Sequence, residues 1–89
     1  MSDSVKFNIQ FKSSAAKEFR NLPQDIKKRV VAKIDLLISN PLPKEVKKLK
    51  GKNNYYRLRI GVYRVVYELH NKDKMILVTR IRHRKDVYE

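Results

Sequence analysis

Residues 55–88 read YYRLRIGVYRVVYELHNKDKMILVTRIRHRKDVY, and the alternation in this stretch decides the fold. Tyr56, Leu58 and Ile60 alternate with Arg57 and Arg59. Gly61 then marks a tight turn or bulge. Beyond it, Tyr63, Val65, Tyr67 and Leu69 form one face, and Val62, Arg64, Val66 and Glu68 the other. A polar hairpin turn, His70 to Lys74, leads into a last strand from Met75 to Arg82. Apolar residues at a period of two mark half-buried strands. Three such segments in succession predict a meander with one apolar face. Arg57 and Arg59 share its other face, and Arg64 and Arg82 can join them from neighbouring strands. A sheet with one greasy side and one arginine-studded side is suited to holding a polyanion.

Upstream, Val5, Phe7, Ile9 and Phe11 alternate with Lys6, Asn8 and Gln10, which predicts an opening strand. Ser13 or Ser14 offers an N-cap, because a hydroxyl can accept a hydrogen bond from a free N–H of the first turn. Ala15, Phe19 and Leu22 follow at helical spacing, so a short helix is expected to about Asn21. Pro23 suits a first helical turn, where its missing N–H costs nothing. Ile26, Val30, Ile34, Leu37 and Ile38 place a second helix from Pro23 to about Ser39. Asn40-Pro41 ends it, since a residue before proline is pushed out of the α region. The short link between the helices makes an αα-hairpin. Leu42 to Asn54 carries Lys44, Lys47, Lys48, Lys50 and Lys52 and reads as a basic loop. Arg84 to Glu89 is compatible with a final turn or short helix.

The predicted class is therefore α+β, in the order β-α-α-β-β-β. The helical hairpin packs on one face of a mainly antiparallel four-stranded sheet and leaves the other face open. The opening strand joins at an edge or between two others. Residues 1–89 form a single domain, since 89 residues leave little room for a second.

Composition narrows the chemistry. Lys and Arg number 22 against 9 Asp and Glu, for a net charge of +13. Like charge repels itself in a folded chain, so such a surplus implies an acidic partner, nucleic acid first and acidic protein second. With no cysteine there is neither a disulfide framework nor a thiolate metal site nor a cysteine nucleophile. Two histidines cannot make a three-histidine metal site, and two glycines make no phosphate-cradling loop. No metal or cofactor is expected. No apolar run approaches the ~18 residues of a membrane span, and no signal-peptide core is evident. A cytoplasmic protein with no membrane partner is the expectation.

What remains is Arg57, Arg59, Arg64, Arg80, Arg82, His83, Arg84 and Tyr88. Arginine binds phosphate bidentately and stabilises charge that develops on a phosphoryl group. Arginines with a His and a Tyr close by suit RNA cleavage by internal attack. The RNA's own 2′-hydroxyl is then the nucleophile, and the protein orients it, moves protons and stabilises a phosphorane. Tyr56, Tyr63 and Tyr67 fall on the predicted core face, whereas Tyr88 is placed to stack on a base.

With these residues in view, the chain resembles the RelE family of toxins within the RelE/ParE superfamily. The resemblance covers nearly the whole chain. It runs through the opening strand, the hairpin ending in NP, KKLKG at 47–51, YYRLRIGVYRVVYEL at 55–69 and RIRHRKDVY at 80–88. Its specific part is the pairing of G-x-YR-x-x-Y with the terminal HR-x-x-VY. The resemblance implies a RelE-like fold and the toxin of a type II toxin–antitoxin system. It implies a metal-independent endoribonuclease that binds the ribosomal A site, cuts mRNA there and halts translation. A cognate RelB-like antitoxin is implied as partner, with the toxin alone a monomer and a higher oligomer in the complex. By motif position Arg64 would stabilise the phosphate, Arg82 the leaving 5′-oxygen, and Tyr88 would orient the mRNA. Lys44, Lys47, Lys48, Lys50, Lys52, Arg80 and Arg84 would contact RNA.

One departure bears on mechanism. Arg57 and Arg59 stand where better-known members carry lysines. A lysine in an arginine-rich pocket can be driven toward its neutral, basic form, whereas arginine holds its proton. The proton acceptor is then Arg59 or His83, and an imidazole with an intrinsic pKa of about 6.5 is the better suited. Three other readings stay open: a ParE-like gyrase inhibitor, a non-catalytic ribosome- or RNA-binding module, and a degenerate toxin that is folded but inactive.

Overall fold

The computed structural model describes residues 6–51 and 53–83; Val5, Lys52 and the segment 84–89, on which parts of the sequence reading fall, lie outside it. The elements are β1 (Asn8–Phe11), α1 (Ser13–Arg20), α2 (Gln24–Ser39), β2 (Lys47–Lys48), β3 (Tyr55–Ile60), β4 (Tyr63–His70) and β5 (Met75–His83). They build one mixed sheet in the order β1-β5-β4-β3-β2, in which β1 runs parallel to β5 and the other pairs are antiparallel. The expected α+β arrangement holds, and the opening strand takes an edge. The expected basic loop contributes one further strand, the two-residue β2 against Tyr56 and Arg57, so the sheet has five strands where four were expected.

Alternation turns one side of the sheet toward the helices. Leu58, Ile60, Val65, Tyr67, Leu69, Ile76, Val78 and Ile81 meet Ala15, Leu22, Ile26, Val30, Ile34 and Leu37 in a single core. Burial of this apolar area drives the packing of the two layers. Tyr67 is fully buried, and its hydroxyl donates to the Pro41 carbonyl at 2.6 Å. That bond ties β4 to the chain where it leaves α2. Burial pushes the Tyr67 hydroxyl pKa far upward, so the group stays protonated and donating.

Several local expectations shift by a residue for physical reasons. Neither Ser13 nor Ser14 caps α1. Lys12 holds that position with φ −63° and ψ 150°, and no side chain caps it. The Lys12 N–H instead donates to the Val78 carbonyl at 2.9 Å, so the sheet itself sets the helix entry. Pro23 precedes α2 as its cap residue rather than opening its first turn. His70 ends β4 opposite Met75, and the turn begins at Asn71. The β3–β4 loop is two residues with φ +61° at Gly61, the pattern of a type II′ turn.

The largest departure from simple alternation lies in β5. Val66 pairs with Arg80 but Tyr67 pairs with Val78, so Thr79 is an extra, bulged residue. Its hydroxyl donates to the Val66 carbonyl at 3.2 Å. Strict alternation from Ile76 and Val78 would send Arg80 and Arg82 into the core. The bulge reverses the phase, so that Ile81 enters the core at 2% exposure and both arginines face away.

Removing the Tyr67 hydroxyl should weaken the fold without emptying the core. Tyr67→Phe is expected to lose about 0.5–1.5 kcal/mol of stability in urea unfolding. An unchanged midpoint would show that the Pro41 contact contributes nothing.

Candidate nucleic-acid interface

The face turned away from the helices is organised in cross-strand rows. Arg59, Arg64 and Arg82 stand opposite one another on β3, β4 and β5. The adjacent row is Lys47, Arg57, Val66 and Arg80 on β2 through β5. Neighbouring strands lie about 4.8 Å apart, so the arginine row spans roughly 10 Å. Like charges directly opposite are destabilising in a sheet. Such rows make sense where an anion neutralises them. Val66 is only 8% exposed although it points away from the core. It stands between Arg57 and Arg80, whose long aliphatic stems are of the kind that cover an apolar neighbour.

Glu68 does not neutralise these rows. Its carboxylate accepts the Tyr55 hydroxyl and pairs with His70 Nε2 at 2.8 Å. The Tyr55 hydrogen bond, assisted by His70, holds the Glu68 carboxyl below its usual range, and Glu68 in turn pushes the Tyr55 hydroxyl up. Glu68, Tyr55 and Leu77 form the next row, so acid and arginines occupy different parts of the same face. His70, expected in the polar turn, is engaged by this carboxylate at the end of β4.

Arg82 has a partner that the sequence reading missed. Its Nε donates to Glu18 Oε2 at 2.8 Å, and the Ile81 backbone N–H donates to Glu18 Oε1 at 2.7 Å. β1 pairs with β5 only as far as Val78. Glu18 takes over the free strand edge beyond that point. The signal was legible: within α1, Glu18 is the one carboxylate, and it sits three residues from Ala15 and four from Leu22 on the apolar stripe.

The other expected site residues distribute as follows. Arg57 and Arg64 are half-buried, and Arg59 and Arg80 are exposed on the open face. His83 pairs with Tyr63, with ring centroids 5.2 Å apart and edges crossed at 72°. That register sets His83 on the opposite face from Arg64 and Arg82, at the end of β5. Lys44, Lys47, Lys48 and Lys50 are exposed along the segment around β2, Lys47 beside Arg57. Lys52, Arg84 and Tyr88 lie outside the described residues. No group of three or more His, Asp or Glu side chains gathers into a metal site among the described residues, and no helix there is long and apolar enough to cross a membrane. On the helical side, an apolar groove of about 460 Å³ opens between β1, α1 and α2, lined by Ile9, Phe11, Phe19, Val31, Ile34 and Ile38.

Comparison with known proteins agrees with this fold. The family described as "ParE toxin of type II toxin-antitoxin system, parDE" matches residues 5–88. Toxin RelE3 of Methanocaldococcus jannaschii is 35% identical over 85 residues, covering 91% of this chain and 94% of its own. The RelE–RelB complex of Pyrococcus horikoshii OT3 superposes with a TM-score of 0.81 at 30% identity, covering 92% of this chain and 99% of that one. The isolated E. coli RelE toxin superposes at 0.79 with 22% identity over 86% of this chain and 83% of its own, a likeness of fold. Together these define the class as a type II toxin–antitoxin toxin. The chain belongs to the RelE family within the RelE/ParE superfamily.

The Glu68 cluster predicts a pH dependence. Its folded pKa is depressed below 4.5, so its stabilisation is present above that value and lost as pH falls through the lower folded one. Glu68→Gln should lower the melting temperature at pH 7. The gap from wild type should close as the pH drops below about 4.5 in thermal scans. A gap that persists at pH 2 would assign the loss to packing.

Proposed function

We propose that this chain is a ribosome-dependent endoribonuclease that cuts mRNA in the A site and so arrests translation. The observation that carries the reading is the row of Arg59, Arg64 and Arg82 on the open sheet face. In the reaction the 2′-oxygen attacks the adjacent phosphorus, the bond from phosphorus to the 5′-oxygen breaks, and a 2′,3′-cyclic phosphate forms. The 2′-hydroxyl proton goes to a base, and the departing 5′-oxygen takes up a proton. Both nucleophile and leaving group belong to the RNA, so the protein's task is positioning and charge stabilisation. In this reading Arg64 stabilises the phosphorane and Arg82 the 5′-oxygen. Arg57 and Arg59 hold the flanking backbone, and Tyr88 orients the message. Lys44, Lys47, Lys48, Lys50, Lys52, Arg80 and Arg84 meet ribosomal RNA and mRNA phosphates.

The register constrains the base. His83 can take the 2′-hydroxyl proton only if the RNA passes the end of β5, where the two faces meet. A His83→Gln variant that keeps the full cleavage rate would remove the imidazole from the chemistry. A cognate RelB-like antitoxin is the expected partner, a reading supported by the relative crystallised with RelB. The apolar groove between β1, α1 and α2 offers such an antitoxin a place for apolar side chains.

Purified protein added to programmed ribosomes, with mRNA ends mapped by primer extension, tests the proposal. A cut within the A-site codon is expected, and Arg64→Ala should slow it by about 10²–10³-fold. Ribosome binding should fall steeply with salt, with log K losing roughly 0.7–0.9 per log salt for each phosphate neutralised. Binding without a cut would favour a non-catalytic ribosome-binding module. The match to the ParE toxin family supports gyrase inhibition as the second reading, which a supercoiling assay separates.

A further inference from the structure

Glu18 comes from α1, 64 residues before Arg82 in the chain, yet its carboxylate spans two groups of β5. Oε1 takes the Ile81 N–H at 2.7 Å and Oε2 takes Arg82 Nε at 2.8 Å. Side-chain exposure is 23% for Glu18 and 37% for Arg82, so the pair sits at the margin between α1 and the open face. We propose that Glu18 is a positioning residue that locks the Arg82 side chain in the orientation needed to meet the leaving 5′-oxygen. The inference rests on the nuclease reading of the arginine row.

The geometry favours a fixed support over a releasable latch. The ion pair uses Nε, not the terminal Nη groups, which are the atoms of the guanidinium fork that recognise phosphate bidentately. The carboxylate is also anchored to the backbone of Ile81, the residue next to Arg82. A partner held by the same strand as the arginine moves with it. A free arginine must freeze several rotatable bonds when it meets a phosphate. In this arrangement folding has already fixed them. Arg82 also stands opposite Arg64, and mutual repulsion pushes the two side chains apart. The carboxylate on the far side of Arg82 pulls the same way and gives that displacement a fixed end point.

The test compares wild type, Glu18→Gln, Arg82→Ala and the double variant in single-turnover cleavage on programmed ribosomes. Glutamine keeps a carbonyl for the Ile81 N–H but loses the charge that holds Arg82. Glu18→Gln is expected to lower the rate at saturating ribosomes by roughly 10- to 100-fold, as a small misplacement of a catalytic group does. The ribosome concentration for half-maximal rate should stay the same. In the Arg82→Ala background the second substitution should add nothing, because its partner is gone. A purely structural Glu18 would instead give additive losses, and would overturn the proposal. So would an Arg82→Ala defect that Glu18→Gln does not share.

A second measurement needs no variant. On the wild-type protein at low salt, the Arg82 Nε–H resonance should be protected from exchange. It should stay protected when a short 2′-deoxy-substituted RNA oligonucleotide binds, while the Nη resonances move. Protection lost on binding would make Glu18 a latch and overturn the positioning role. Wild-type protein that leaves mRNA intact, with Nε–H protected, would overturn the nuclease reading and the positioning role with it. That failure is distinguishable from an intact nuclease insensitive to Glu18.

Discussion

Thr79 is the one residue by which β5 outruns β4, and the character of both sheet faces depends on it. Before it, Ile76 and Val78 point into the core; after it, Ile81 does. Side chains alternate at a period of two, so without the extra residue Arg80 and Arg82 would be driven beneath the helices. Burying two unpaired guanidinium groups would cost far more than the few hydrogen bonds a bulge disturbs. The bulge therefore settles the conflict between an apolar phase that changes in mid-strand and a core that admits no charge. It also brings Arg82 opposite Arg64.

The face so produced carries an internal electrostatic cost. Arg59, Arg64 and Arg82 in one row, with Lys47, Arg57 and Arg80 in the next, repel one another across strand spacings. The apolar layer beneath bears that cost. Tyr67, Val65, Ile76 and Val78 are fully buried directly under the sheet, and α1 and α2 seal them from water. Among the described residues nearby, two carboxylates have identified commitments. Glu68 is committed to Tyr55 and His70, and Glu18 to a strand edge and the side of Arg82. In the proposed function these rows are what the RNA phosphates would meet.

Much of the architecture was legible in the chain. Alternation at 56–60 and 62–69 marked two strands to within a residue at each end, and the stripe from Ile26 to Ile38 marked α2 equally closely. The placement of Arg57, Arg59 and Arg64 on a common face followed from the same period, whereas Arg82 joins them only through the bulge at Thr79. The two-residue β2 was not legible, because a strand that short has no period of its own and exists only by pairing with β3. Nor was the failure of Ser13 as a cap, because the Lys12 N–H at the start of α1 donates to the carbonyl of Val78, far along the chain. The phase change at Thr79 was a visible signal that alternation alone did not interpret.

The sequence by itself determined the class of elements, their order, the apolar side of each and the excess of positive charge. These are local or compositional properties, set by propensity and by periods of two and 3.6. Only the tertiary structure decided which arginines stand opposite one another, that His83 lies against Tyr63, and that Glu18 holds Arg82. Each of those depends on register between strands, or on contact between residues remote in the chain. Periodicity says which way a side chain points, and packing of the whole chain says what it meets.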